Sequence, residues 1–411
     1  MRQYYYLRID YLHDKIGNVK TFYLYLIALV LLAPACTSSK KTAARNGARL
    51  QSAIDSIRSV YAPDKRTALF DVSAHGAVVA GMTNMPQAKT ALLQLLQKEQ
   101  LNYTDSLRVL PDSASLVNNF AVVSISVANL RAKPGHPNEM VSQATLGTPL
   151  KVYTREKGWW LVQTPDKYIA WTEAGGIRLM TPAAAAQWEA MEKAIYIKPY
   201  GFAYASESTD AATISDLVYG DVLAFKQARN GFYETQFPDG RTGYVPAADI
   251  TLLKDWEASR NPSRDNLVSA SKALMGIPYL WGGTSFKGVD CSGFTRTVYF
   301  MNGLLLPRDA SQQVTIGEEV DTKNGWQNLQ PGDLLFFGMP ARDGRPERIV
   351  HVGMWLGGPN NEFIQSSSRV QISSFNPGAA NYDGSEHHRF IRAKRITPKD
   401  VICDLRNSSY Y

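Results

Sequence analysis

Two stretches of this chain return at a constant offset of 73 residues. Gly147-Thr-Pro-Leu recurs as Gly220-Asp-Val-Leu, and Gly158-Trp-Trp-Leu-Val-Gln-Thr-Pro-Asp166 as Gly231-Phe-Tyr-Glu-Thr-Gln-Phe-Pro-Asp239. Ala170-Trp171 recurs as Gly243-Tyr244. An offset held through glycines, aromatics and a Pro-Asp turn means one structural unit built twice. Within each copy, short apolar runs are cut by Gly, Pro and Asp turns, the pattern of a small β-barrel. The copies occupy 120–190 and 191–254, with a helical linker from Ala183 to Ala194 between their conserved parts. Trp160 and Tyr233 read as barrel core.

The 411 residues leave room for roughly three domains at about 150 residues each. With 45% hydrophobic and 20% charged residues, the chain is globular rather than disordered or fibrous. Its net charge of +7 falls to +5 without residues 1–35, which carry four basic and two acidic residues. No Lys/Arg run longer than two follows, which argues against nucleic acid as a partner. A mildly basic surface suits an anionic wall polymer. Three cysteines build no disulfide framework; Cys403 reads as a spare thiol.

Phe22 to Ala33 is a run of twelve apolar residues after Lys20, too short to span a membrane in the usual way but suited to a signal-peptide core. It ends in Leu32-Ala-Pro-Ala-Cys36. Small residues before a cysteine resemble a bacterial lipoprotein cleavage site, with Cys36 as the lipidated N-terminus. Ala33 and Pro34 depart from the usual pattern, and plain secretion is the alternative. The expectation is an envelope protein, a periplasmic lipoprotein held to the outer membrane through Cys36.

Residues 37–119 read as a tether and a small α+β cap. Leu50, Ile54, Ile57 and Tyr61 mark a helix stopped at Pro63, Ala68–Val72 and Ala77–Gly81 two strands, Met85–Lys98 an amphipathic helix, and Arg108–Pro111 a third strand. No chemical motif stands out.

Chemistry concentrates after residue 255. Tyr279-Leu-Trp-Gly-Gly-Thr-Ser-Phe-Lys-Gly-Val-Asp290-Cys291-Ser292-Gly293-Phe294 is a turn-rich run leading into one cysteine. Phe294, Val298 and Met301 then follow at helical spacing, with Gly303 as a stop. A cysteine at a helix start meets unpaired N–H groups and the positive end of the dipole, which favour a thiolate. It is also a common small core residue. Downstream, Ile349-Val-His351-Val-Gly353 reads as a strand with Ile349, His351, Gly353 and Trp355 on one face, Gly353 allowing close approach. His351 is placed to bond Cys291 and to act as general base and then general acid. On the next strand Phe363 and Gln365 share a face, so Gln365 is placed to set the tautomer of His351. His387 and His388 read as an exposed loop pair. The six histidines show no metal-ligand spacing beyond that adjacent pair, and no metal or cofactor is expected.

With Pro278-Tyr279-x-Trp-Gly-Gly, Asp290-Cys291-Ser292-Gly293-Phe294, Pro307-Arg-Asp309-Ala-Ser, Pro-Gly-Asp333 and His351-Val-Gly in this order, residues 265–400 resemble the NlpC-type family of papain-like cysteine peptidases. Asn129-Leu-Arg131 and the aromatic and Pro-Asp elements of the repeat resemble bacterial SH3-like domains of cell-wall enzymes. The resemblance implies a multidomain α+β protein: the signal segment 1–36, a cap (37–119), two SH3-like β-barrels and a papain-like peptidase domain (255–411). This order looks like that of γ-D-glutamyl-L-diamino acid endopeptidases, which cut murein stem peptides and in some cases need a free N-terminal L-Ala. Carried over by position, Tyr279, Asp290, Ser292 and Asp309 line the site, Glu139 and Tyr168 of the first barrel reach into it, and the Cys291 N–H helps to hold the oxyanion. A substrate ammonium in a narrow cleft needs such carboxylates, because a desolvated charge left unpaired is costly. One departure is that relatives in this arrangement usually carry His where Gln365 stands. The competing readings are a wall-binding protein with a decayed peptidase domain, and an amidase or acyltransferase on the same fold.

Overall fold

The computed structural model describes residues 43–111 and 118–407. The signal segment and the lipidation candidate Cys36 lie outside the described residues. None of the described helices is long and apolar enough to cross a membrane.

The chain divides into two compact units. The smaller holds residues 43–61, 71–82 and 86–108 of the described chain. Residues 43–61 are helical, ending two residues before Pro63. Three strands, Phe70–His75, Val78–Thr83 and Thr104–Val109, form one sheet, and the helix Pro86–Lys98 buries Ala88, Leu92 and Leu96 along one stripe. Proline opens that helix because its missing N–H costs nothing in the first turn.

The larger unit comprises 62–70, 83–85 and 109 onward. Its first sheet has seven strands, in spatial order Ile177–Met180, Phe120–Val123, Pro149–Glu156, Trp159–Gln163, Ile169–Glu173, Val127–Arg131 and Met140–Thr145. A second seven-stranded sheet repeats that order from Ile250–Leu252 through Lys193–Tyr196, Val222–Arg229, Phe232–Gln236, Thr242–Pro246 and Tyr200–Tyr204 to Thr213–Val218. Each strand of the second copy starts 73 residues after its counterpart, as Lys193 follows Phe120 and Ile250 follows Ile177. Trp160 is core of the first copy, and Tyr233 is half-buried against Phe225 of the second. The linker helix expected over Ala183 to Ala194 ends sooner: it covers Pro182–Ala190, capped by the Thr181 hydroxyl, and Lys193–Tyr196 is already the second copy's first strand. Asp221, fully buried, ties the copies together by accepting the N–H groups of Leu146 and Val218.

The C-terminal part is an antiparallel six-stranded sheet in the order Glu318–Val320, Phe390–Arg395, Leu334–Met339, Arg348–Gly357, Glu362–Ser366 and Val370–Ser374. The helix Cys291–Phe300 buries Phe294 and Val298 in one apolar cluster with Leu334, Phe336, Val352, Met354 and Ile364. Gly303, at φ +83°, lies just beyond the end of this helix. A second cluster holds Phe337, Trp355, Phe363 and Phe375. The first cluster packs the helix against the strand Arg348–Gly357, and the second holds that strand through Trp355.

Candidate active site

Asp290 caps the helix that Cys291 begins. One carboxylate oxygen accepts the Gly293 N–H at 2.7 Å and the other the Gly282 N–H at 2.9 Å. Gly293 is required there, since a Cβ would stand 1.9 Å from the Gly283 carbonyl oxygen. As the first helical residue, Cys291 has an N–H with no intrahelical acceptor.

The thiol differs from its sequence expectation. Burial, and next the Asp290 carboxylate, push its pKa up to about 12 from 9.0, against the helix N–H groups that favour a thiolate. The backbone N–H of Val352, the Arg308 guanidinium and the Ser292 N–H act in the opposite direction and do not win. A nearly dry sulfur loses more hydration than a helix end returns.

His351 is also buried, and burial lowers its pKa from 6.5 although Glu386, Gln365 and Asp383 pull it up. Its Nε2 lies 2.6 Å from Gln365 Oε1. The Gln365 amide nitrogen donates to Ser373 Oγ and to Asp383 Oδ2, each at 2.9 Å. A carboxylate accepts and does not donate, so Asp383 holds the amide with its oxygen toward His351. The imidazole therefore carries its proton on Nε2 and leaves the Nδ1 lone pair bare. The direct bond expected between His351 and Cys291 is not among the hydrogen bonds of the described residues; the sulfur instead meets the N–H of Val352, one residue along the strand. Such bonds are often long in an empty site and tighten when substrate binds. At Gly353 the close approach is that of the neighbouring strand: a Cβ there would press on the Ile364 carbonyl at 3.2 Å and on Phe363.

The remaining candidates surround this line. Burial, followed by the neighbouring Cys291 and Asp290, raises the Tyr279 phenol above 10.0, so it stays protonated. Ser292 donates to Asp290 at 3.3 Å and accepts from Arg308 at 3.0 Å. The Asp290 carboxylate is committed to the protein itself, with Arg308 bonding both of its oxygens, at 2.6 and 3.1 Å. Asp309 accepts the Tyr168 hydroxyl at 3.2 Å, and Glu139 accepts the indole N–H of the exposed Trp281 at 2.9 Å. Both first-barrel candidates thus touch the C-terminal domain, at different points.

Sequence reasoning missed four contributors. Arg308 lies inside the Pro307-Arg-Asp309-Ala-Ser motif, whose spacing gives no sign that it is fully buried and also bonds Ser142. Asp383 carries no pattern of its own. Asp64 and Arg66, from a segment read as free of chemistry, stand at Asp309: Arg66 Nη1 is 2.9 Å from Asp309 Oδ2. The His387–His388 pair is part of a short helix, Gly384–Arg389, rather than a loop, and His387 packs on Trp326 and Phe375.

A thiol at a helix start beside an antiparallel sheet, with an imidazole oriented by a side-chain amide, defines a papain-like α+β domain with a cysteine-hydrolase type of site. Residues 276–386 match the NlpC/P60 family and residues 126–177 the bacterial SH3 domain, so the chain carries an NlpC/P60 domain preceded by a bacterial SH3 domain. It is 29% identical over 231 residues to a γ-D-glutamyl-L-lysine dipeptidyl-peptidase of Bacillus cereus, covering 54% of this chain and 66% of that one. To the protein of the same description from Bacillus subtilis it is 31% identical over 161 residues, 39% of this chain and 49% of that one. The aligned segments are thus just under two thirds and about half of these relatives' lengths. The fold is similar to a solved NlpC/P60 family protein from Bacillus cereus ATCC 10987, with a TM-score of 0.56 and 24% identity over 67% of this chain and 99% of that chain.

Proposed function

We propose that this protein is a cysteine peptidase of the cell envelope that cleaves the bond between γ-D-Glu and the diamino acid of murein stem peptides. The observation that carries the reading is the chain from Asp383 through Gln365 to His351, which puts the imidazole proton on Nε2 and leaves Nδ1 able to act as a base. The two relatives described as γ-D-glutamyl-L-lysine dipeptidyl-peptidases support the bond class.

In this mechanism the Cys291 thiol gives its proton to Nδ1 as sulfur attacks the γ-carbonyl carbon of D-Glu. The Cys291 N–H holds the resulting oxyanion. The intermediate collapses to a thioester while the imidazolium protonates the departing amine of the diamino acid. Water, deprotonated by His351, then releases the acyl group and restores the thiol. Asp309, Tyr168 and Glu139 form the end that receives a free N-terminal amine. Gln365 orients the imidazole as His would, but as a neutral amide gives its positive form less stabilisation. Cys36 is the proposed lipid anchor, placing the enzyme in the periplasm at the outer membrane.

The test is incubation of the mature protein with L-Ala-γ-D-Glu-diaminopimelate, free and N-acetylated, beside Cys291→Ala. Release of L-Ala-D-Glu from the free peptide by the wild type alone is the expected result. Cleavage of neither peptide by the wild type overturns the peptidase reading.

A further inference from the structure

The segment 62–70 meets the candidate site at Asp309, and its polar groups are spent in an ordered way. Arg66 donates from Nε to Asp64 Oδ1 at 2.7 Å and from Nη2 to Asp64 Oδ2 at 2.8 Å. Its Nη1 donates to Asp309 Oδ2 at 2.9 Å and to Ser311 Oγ at 2.8 Å. Four of its five N–H groups therefore have protein acceptors, so this guanidinium is not a receptor waiting for an anion. Asp64 is equally occupied: it also accepts the Arg66 backbone N–H at 2.9 Å and the Gln312 amide at 2.8 Å. The segment is fastened to the first barrel beside Tyr168, where the Arg66 carbonyl accepts the Ile169 N–H at 2.7 Å and the Thr67 carbonyl accepts the Gln163 amide at 3.2 Å.

Asp309 uses its two oxygens differently, and its side chain also accepts the Gln312 backbone N–H in a capping box. Its Oδ2 receives both Arg66 and the Tyr168 hydroxyl, while Oδ1 carries neither bond and lies 4.0 Å from Arg308 Nη1. Counting Arg308 with its partner Asp290, the three carboxylates of Asp64, Asp290 and Asp309 outnumber the two guanidiniums of Arg66 and Arg308 by one, so the cluster still favours a cation.

We propose that Arg66, braced by Asp64, is a specificity-determining positioning residue: it pins Oδ2 of Asp309 so that Oδ1 is presented to the substrate's N-terminal ammonium. This rests on the peptidase reading above and deepens it. The opposite arrangement, a guanidinium occupying the ammonium's place and competing with it, requires Arg66 to leave four bonds whenever substrate binds.

The two arrangements give opposite signs. In the full mature protein, Arg66→Ala is expected to lower kcat/KM for free L-Ala-γ-D-Glu-diaminopimelate about ten- to a hundredfold, chiefly through KM. Its kcat/KM for the N-acetylated peptide is expected to stay within about twofold of the wild type. Arg66→Lys, which can still pair with Asp309, is expected to recover part of the selectivity, and Asp64→Asn to lose part of it. A rise in free-peptide kcat/KM for Arg66→Ala overturns the proposal in favour of competition. An equal fall on both peptides overturns it in favour of a scaffolding role. A wild type that cuts both peptides equally removes amine recognition while leaving the peptidase; a wild type that cuts neither removes the parent reading itself.

Discussion

Asp383 lies 2.9 Å from the amide nitrogen of Gln365, and through that contact it sets which nitrogen of His351 carries the proton. A neutral amide is symmetric enough to sit either way round, and only the carboxylate's inability to donate decides between the two.

Asp383→Asn removes that decision. The new amide can donate to Gln365, turning the Gln365 nitrogen toward His351 and moving the imidazole proton to Nδ1, where a base is needed. The expected result is a kcat lower by about ten- to a hundredfold with KM little changed, the size of a lost charge-assisted hydrogen bond. An unchanged kcat in steady-state assays counts against the orienting role.

Gln365→His is expected to stay active, because an imidazole can donate to Asp383 from one nitrogen and accept from His351 Nε2 with the other. Gln365→Ala leaves the His351 N–H buried without its acceptor, at a cost of about 1–3 kcal/mol. Comparing kcat and thermal midpoints of the two variants checks both statements.

The resting thiol is expected to be neutral. Its pKa is raised above 9.0, to about 12, and that of His351 lies below 6.5, so near pH 7 the pair is thiol and imidazole rather than thiolate and imidazolium. Alkylation of Cys291 by iodoacetamide in the free enzyme should keep rising with pH through 9.0 and above. A plateau across the neutral range would show a preformed ion pair and refute this. The same shift makes the thiol work against the folded state as pH rises: the unfolded chain loses its proton from 9.0 upward, the folded chain only toward 12, so the contribution present below 9.0 is lost across that window.

Arg308→Ala should destabilise the fold by about 3–5 kcal/mol, since it leaves the Asp290 carboxylate buried without its partner. Burial works against the Arg308 charge, but the Asp290 carboxylate outweighs it and keeps the guanidinium protonated. Urea unfolding of Arg308→Ala, with Arg308→Lys as the conservative control, measures the loss.

Much of this architecture is written in local sequence. The 73-residue repeat encodes strand order twice because glycines, turn residues and alternating apolar positions act over a few neighbours. Cys291, His351 and Gln365 are nameable for the same reason: a turn-rich run opening a helix and two alternating strands are short-range patterns. Tertiary structure alone decided the rest. Arg66 and Asp309 are separated by 243 residues, and no spacing rule connects them. Asp383 is one acidic residue among many until folding sets it against Gln365. The protonation of Cys291 depends on how much water the residues packed around it remove, a property of three-dimensional burial. Its helix-start position alone points the other way, because hydrogen bonding and dipoles act locally while desolvation sums over everything packed around the sulfur.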